Sequence, residues 1–369
     1  MAIAVVGMVA ASVYYLRPWV VTAKPVVATY TVVRSSPDTR SEVQYEFVSA
    51  ALVWAVAVDY SGDGNSAGSY RLFRSVDGSR TWTRERQGKT SSAWTTESSL
   101  RFVDPATGFL AADDPLVLRK TSDRGRSWKA VRLPTPDNVL TIHFIDGRHG
   151  WVTAGTLENS WRLYSTDDGG SSWTRPIMVP ADLMLEPLFR DAGEGWAGAA
   201  SSDHPHLYRS GDGGQSWAAR DLPTPPGLAP GLHFSSFVRL VPGGGLLALV
   251  EATTEDNSVG VFVFKSLDGG ASWMPLAGPT HDGAFMFASV FQDATNWWLI
   301  AESDLYKTSD GGETWIHAPG VEPPNLFLSR ILDSRHAWGQ FYDDQNTSDV
   351  AITSDGGATW TRIKAPGRK

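Results

Sequence analysis

The sequence predicts an all-β chain of seven similar units, each folding into four antiparallel strands. A block of the form Ser/Thr-x-Asp-x-Gly-x-Ser/Thr-Trp, hereafter the box, recurs seven times with small variations. Successive box aspartates lie 46, 45, 44, 56, 42 and 45 residues apart, and this period is typical of a four-stranded propeller blade. Short alternating stretches bounded by glycine, aspartate and asparagine lie between the boxes, without a convincing helical period. The predicted fold is therefore a seven-bladed β-propeller with one box per blade.

The box is predicted to form the tight turn between the third and fourth strands of each unit. An aspartate side chain can accept hydrogen bonds from backbone N–H groups a few residues later, and glycine tolerates a positive φ. The tryptophan begins the outer strand, and its indole buries roughly 150–250 Å² against its own hairpin or a neighbouring blade. One carboxylate per blade cannot converge on a catalytic site, so the box residues are interpreted as structural. They are Asp77 with Trp82, Asp123 with Trp128, Asp168 with Trp173, Asp212 with Trp217, Asp268 with Trp273, Asp310 with Trp315, and Asp355 with Trp360.

A second motif, Asp-x4-aromatic, precedes the box in most units and indicates the turn between the first and second strands. The first unit has Ser49 and Trp54 in these positions, and the fifth unit has Val241 and Leu246. The complete copies are Asp104 to Phe109, Asp146 to Trp151, Asp191 to Trp196, Asp293 to Trp298, and Asp333 to Trp338. In a four-stranded blade this turn and the box lie on the same face.

The third unit shows how the strands are predicted. Residues 139–145, 151–155, 161–165 and 172–176 are expected to form its four strands. Proline-rich joints separate the units, and proline lacks the N–H group that a strand ladder needs. These joints are therefore expected to be crossovers between blades.

Composition excludes several classes of function. The 369 residues include no cysteine, which excludes disulfides, a thiol nucleophile and cysteine-ligated metals. The net charge of -8 argues against a nucleic-acid-binding surface along the whole chain. The eight histidines show no metal-ligand spacing. No catalytic residue, metal or cofactor is predicted.

The box resembles the Asp-box, or BNR, repeat of sialidases, sortilin-type receptor domains and certain xyloglucan hydrolases. The near-uniform spacing, and the run LYRSGDGGQSW that ends at Trp217, most resemble the photosystem II stability/assembly-factor-like propellers. The resemblance covers about residues 43–364. It implies a propeller scaffold and favours a non-catalytic, assembly-factor-like role in binding a protein or peptide.

A glycoside hydrolase, sialidase-like or glucanase-like, or a carbohydrate-binding propeller is the alternative function. Sialidases need three arginines, the first of which lies in an Arg-Ile-Pro element, and this sequence has no such element. Carboxylates about 5–10 Å apart beside exposed aromatic side chains would favour the alternative.

The turns between the second and third strands lie on the face opposite the boxes, where variable loops can carry function. Every unit has an acidic residue near this turn, which predicts an acidic rim that binds a cationic peptide or calcium. Exposed turns also contain such residues for purely structural reasons, so both interpretations stay open. The predicted rim residues are Asp59, Asp113, Asp114, Glu158, Asp203, Glu251, Glu302, Asp343 and Asp344.

The N-terminal segment predicts export. Residues 1–16 contain no charged side chain, and their length suits the apolar core of a signal peptide better than a spanning helix. The predicted organisation is a signal-peptide-like or membrane-anchor segment (1–25), an N-terminal strand or linker (26–42) and the propeller (43–369). An extracytoplasmic protein is expected, attached to a membrane only through its N-terminal segment.

Overall fold

The computed structural model describes most of the predicted propeller region. The described residues are 33–36, 39–61, 68–90, 100–112, 117–135, 139–155, 161–184, 187–224, 231–253, 258–276, 289–301, 304–318, 326–342, 348–363 and 366. The predicted signal-like segment, residues 1–25, lies outside them. No helix in the described ranges has the length and apolar character needed to cross a bilayer.

The described part of the chain is all-β, with 28 strands and one short 3-10 turn. The first sheet contains five antiparallel strands in chain order: β1 (Val33–Ser36), β2 (Thr39–Phe47), β3 (Val53–Ser61), β4 (Gly68–Ser75) and β5 (Thr83–Thr90). The second sheet contains four: β6 (Leu100–Phe102), β7 (Gly108–Ala112), β8 (Val117–Thr121) and β9 (Lys129–Val131).

The third unit has three strands, where the sequence predicts four. They are β10 (Val139–Phe144), β11 (Gly150–Ala154) and β12 (Arg162–Thr166), each within one residue of its predicted bounds. Residues 172–176 form no strand, so the fourth-strand prediction is wrong. Backbone pairing with β12 is reduced to a bridge between Leu163 and Ile177 and one hydrogen bond from the Thr174 N–H to the Ser165 carbonyl oxygen at 2.9 Å. These two contacts are one residue out of register, so the ladder is interrupted between them.

The fourth and fifth units share one eight-stranded sheet. Its strands are β13 (Leu188–Phe189), β14 (Gly195–Ser201), β15 (His206–Ser210), β16 (Ala218–Asp221), β17 (His233–Leu240), β18 (Leu246–Thr253), β19 (Ser258–Ser266) and β20 (Met274–Pro275). The end of β14 leaves β15 and pairs with β17 of the next unit, from Ala199 opposite Ser236 onward. Gly198 permits this approach, because a Cβ there would lie 2.2 Å from the Ser236 carbonyl oxygen.

The last two sheets are four-stranded. The sixth unit contains β21 (Ser289–Phe291), β22 (Trp297–Ala301), β23 (Asp304–Thr308) and β24 (Ile316–Ala318). The seventh unit contains β25 (Leu326–Ile331), β26 (Ala337–Tyr342), β27 (Ser348–Thr353) and β28 (Thr361–Ile363).

The first and last units are neighbours, so the sheets form a closed, propeller-like circle. The Gln340 Nε2 group donates to the carbonyl oxygen of Val43, 297 residues away in the sequence, at 3.1 Å. Phe47 packs on Trp338 with ring centroids 5.3 Å apart, and both rings are buried in one core cluster. The circle therefore closes through side chains between the inner strand of the first unit and the second strand of the seventh.

Aromatic residues at the start of the second strand form much of the core between units. Trp151 of the third unit stacks on Phe189 of the fourth, with ring centroids 3.7 Å apart. Phe109 and Phe144 make the same contact one unit earlier, at 3.6 Å. Because each ring is covered by the next unit, the repeated aromatic position joins neighbouring sheets.

Candidate functional site

The box turns have one repeated hydrogen-bond pattern. In the third unit, Asp168 accepts hydrogen bonds from the Thr166 hydroxyl (2.9 Å) and from the backbone N–H (2.9 Å) and hydroxyl (2.6 Å) of Ser172. The same three bonds form at the other six box aspartates: Asp77, Asp123, Asp212, Asp268, Asp310 and Asp355. Both carboxylate oxygens are therefore engaged within the turn.

These bonds favour the ionised carboxylate. The hydroxyl and backbone N–H of Ser172 are the main causes that hold the pKa of Asp168 at about 2. The pKa is also about 2 at Asp77, Asp123, Asp268 and Asp355. Such carboxylates stay ionised and committed to their own turns, so they are poor proton donors at neutral pH.

The turn between the first and second strands uses an aspartate in a similar way. Asp104 accepts the backbone N–H groups of Ala106 (2.6 Å) and Thr107 (2.8 Å). Ser49 replaces this aspartate in the first unit, and its hydroxyl oxygen accepts the N–H of Leu52 at 3.0 Å. In six units a glycine or arginine N–H of the box turn donates to a carbonyl oxygen of this first turn. The two turns therefore lie together on what we call the box face.

The predicted acidic rim is described at only three positions. Asp59 at the end of β3 pairs with Arg71 at 3.0 Å. Asp203 is exposed, and hydrogen bonds from the Ser201 hydroxyl and the His204 N–H hold its pKa at about 2. The remaining rim residues lie outside the described residues: Asp113, Asp114, Glu158, Glu302, Asp343 and Asp344.

The third described rim residue, Glu251, is half-buried on β18, and burial raises its pKa. Asp59, Asp203 and Glu251 belong to three different units, the first, fourth and fifth. In the described ranges, no group of three or more histidine, aspartate or glutamate side chains is arranged to hold a metal ion.

A polar cluster that sequence reasoning missed surrounds Asp203 in the fourth unit. His204 lies 3.0 Å from Asp203 and 3.3 Å from Asp221. The buried His206 lies 3.2 Å from Asp182, which also accepts the Tyr208 hydroxyl at 2.7 Å. Burial and the Asp182 carboxylate raise the pKa of Tyr208 to about 12. The cluster links three parts of the fourth unit: the crossover into it (Asp182), the turn between its second and third strands (Asp203 and His204) and its outer strand (Asp221).

An open depression on the box face lies between the fourth and fifth units, with a volume of about 540 Å³. Arg190, Arg209 and Arg220 line it together with Glu194, Gly244 and the box turn from Leu267 to Ala271. Leu267 is 62% exposed and supplies an apolar surface beside the three cations. We call this the arginine depression.

The arginine depression depends on the degenerate turn of the fifth unit. Where five units have aspartate and the first has Ser49, the fifth has Val241, followed by a 3-10 turn at Pro242–Gly244. Arg190 Nη2 of the fourth unit donates to the Gly245 carbonyl oxygen of this turn at 2.9 Å. The missing aspartate was therefore a signal for the site in the sequence, although the convergence of the three arginines was not visible there.

Comparison with known proteins agrees with the repeated boxes. A family model described as photosynthesis system II assembly factor YCF48 matches residues 120–231, which is less than half of the chain and includes three boxes. This match confirms the predicted resemblance to the assembly-factor-like propellers. A comparison with curated proteins found no match.

Solved structures give the same picture of the fold. A structure described as YCF48 bound to D1 peptide has a TM-score of 0.53 and 18% identity, over 91% of this chain and 100% of that chain. At this identity the likeness shows the fold alone.

Two further structures are similar at TM-scores below 0.5, which establish no relation by themselves. YCF48 from Cyanidioschyzon merolae has a TM-score of 0.47 and 16% identity, over 90% of this chain and 98% of that chain. The GH74 xyloglucanase from Xanthomonas campestris has a TM-score of 0.48 and 12% identity, over 89% of this chain and 70% of that chain.

Proposed function

We propose that this chain is a non-catalytic, seven-bladed propeller scaffold that binds an acidic peptide segment of a protein partner in the arginine depression. Seven regularly spaced boxes, the four-stranded sheets and the contact between the first and last units support the blade count. The role is assembly-factor-like and extracytoplasmic, with export by the apolar residues 1–16.

One observation carries the proposal: three arginines outnumber the two carboxylates, Glu194 and Asp268, that line one depression on a chain whose net charge is -8. Guanidinium groups bind carboxylates with directed, charge-assisted hydrogen bonds. Leu267 beside them gives an apolar contact, so a carboxylate next to an apolar residue fits the chemistry. The similar YCF48 structure with a bound D1 peptide supports a peptide as the form of the ligand.

The acidic rim is a separate prediction on the opposite face. Asp59 is already paired with Arg71, and Asp203 is held by its own turn. The described geometry therefore favours the arginine depression as the peptide site. Charge reversal at Glu251 tests the rim, because recovery of partners from the native envelope is expected to fall if the rim binds them.

Fluorescence anisotropy tests the proposed site with a fluorescein-labelled peptide that has several acidic residues and a C-terminal leucine. Arg220 is exposed and donates only to its neighbour Ala219 among the bonds described, so Arg220→Glu is expected to fold and to weaken binding about tenfold. Arg84→Glu makes the same change on an exposed position of β5 and is expected to bind like the original protein.

Peptide variants identify the source of the carboxylate. A C-terminally amidated peptide tests the terminal carboxylate, and a peptide with glutamines in place of its acidic residues tests the side chains. Equal binding by the original protein and Arg220→Glu would show that the peptide binds elsewhere. Failure of the acidic peptide to bind at all would refute the proposed function.

A further inference from the structure

Two carboxylates of the chain, Glu194 and Asp268, line the arginine depression, and Glu194 is the one beside Arg190 and Arg209. It follows Asp191 by three residues in the first turn of the fourth unit, and its Oε1 accepts the Trp196 indole N–H at 2.8 Å. Its two oxygens lie 3.5 Å from Arg190 Nε and 3.7 Å from Arg209 Nε. Both distances exceed the usual range of a hydrogen bond, and neither buried Nε has a hydrogen-bond partner. Glu194 therefore attracts both guanidinium groups without a close hydrogen bond to either Nε atom.

The other units explain why this side chain points into the depression. At the equivalent position, three residues after the turn aspartate, Asn296 donates its amide to Asp293 at 2.9 Å. His149 lies 2.7 Å from Asp146, and His336 lies 2.9 Å from Asp333. Those side chains can donate a hydrogen bond back to their own turn.

Glu194 cannot make the equivalent contact, because an ionised glutamate is only an acceptor and would repel the carboxylate of Asp191. Asp191 accepts the backbone N–H groups of Gly193 and Glu194 instead, at 2.8 and 2.7 Å. The Glu194 side chain turns toward Trp196 and the arginines of the fourth unit. The Glu194 side chain therefore points away from its own turn aspartate, whereas the equivalent side chains in the other units named above contact theirs.

We propose that Glu194 is a specificity-determining residue that competes with the carboxylate of an incoming peptide for Arg190 and Arg209. This inference rests on the proposed function of the depression. A ligand with a single negative charge meets the repulsion of Glu194 as well as the attraction of the arginines. A peptide with several charges also reaches Arg220 and contacts Leu267, so it overcomes the internal carboxylate. Glu194 thereby selects acidic, partly apolar segments over isolated anions.

Glu194→Gln tests the inference with little change in shape. The amide oxygen can still accept the Trp196 N–H, while the negative charge is removed. The same labelled acidic peptide is expected to bind about tenfold more tightly to this variant. A peptide with only its terminal carboxylate should gain more than the multiply acidic one, because selection between them is lost. Glu85→Gln is the matched control, since Glu85 pairs with Arg74 at 2.7 Å on the first unit.

The outcomes separate the inference from the proposed function. If the original protein binds the peptide and Glu194→Gln binds it equally or more weakly, the inference is refuted and the proposed function stands. If Glu85→Gln tightens binding as much as Glu194→Gln, the effect is one of total charge, and the inference is refuted. If no protein binds the peptide, the proposed function fails and the inference fails with it.

Discussion

Replacement of Trp151 tests how strongly the repeated aromatic position joins neighbouring units. This side chain is 4% exposed, stacks on Phe189 with an interplanar angle of 3°, and donates its indole N–H to the Gly213 carbonyl oxygen at 2.9 Å. Both contacts connect the third unit to the fourth.

The expected loss in the free energy of unfolding follows from the buried area of the Trp151 indole and from its hydrogen bond to Gly213. An indole buries roughly 150–250 Å², worth about 4–6 kcal/mol at 25 cal/mol/Å² as an upper value, and large-to-small core substitutions cost about 3–5 kcal/mol. Trp151→Ala is therefore expected to lower the free energy of unfolding by about 4 kcal/mol. Trp151→Phe keeps a stacked ring, as Phe109 does one unit earlier, but leaves Gly213 without the indole donor. It is expected to cost about 1–2 kcal/mol.

Equilibrium urea unfolding measures both values. Met178→Ala is the control in the same unit, because Met178 is 74% exposed and its loss should change the free energy by less than about 0.5 kcal/mol. The reasoning is refuted if Trp151→Ala behaves like Met178→Ala. It is also refuted in part if Trp151→Phe costs as much as Trp151→Ala, because stacking would then contribute little.

Three further predictions concern the turns. Ser49→Ala removes the hydroxyl that accepts a backbone N–H, and a loss of about 1 kcal/mol is expected in urea unfolding; no loss would show that water replaces the bond. Gly125→Ala places a Cβ 2.2 Å from Trp54 at φ +75° and should cost about 1–3 kcal/mol, whereas Gly211→Ala meets nothing within 4 Å and should be nearly neutral by the same assay. Because the pKa of Asp168 is about 2 against an ordinary 3.8, its contribution to stability is present above about pH 4 and is lost as the pH falls toward 2. Asp168→Asn should therefore lose less stability over this range in an acid titration followed by circular dichroism, and an unchanged acid transition would contradict the assignment.

Local pattern was enough to predict the repeated elements. The strands of the third unit fall within one residue of their predicted bounds, because alternation and turn residues act over a few positions. The fourth strand of that unit was the exception. Its failure is also local, because the Leu163–Ile177 and Ser165–Thr174 contacts are one residue out of register and interrupt the ladder.

The sequence by itself therefore determined the all-β class, the repeating unit and the resemblance to the assembly-factor-like propellers. Tertiary structure alone decided how units meet: β14 crosses to β17 because Gly198 and its small neighbours let two backbones approach. It also decided that Arg190, Arg209 and Arg220 share one depression with Glu194. Turn geometry depends on residues a few positions apart, whereas a charged site between units depends on distances that only the packed sheets define.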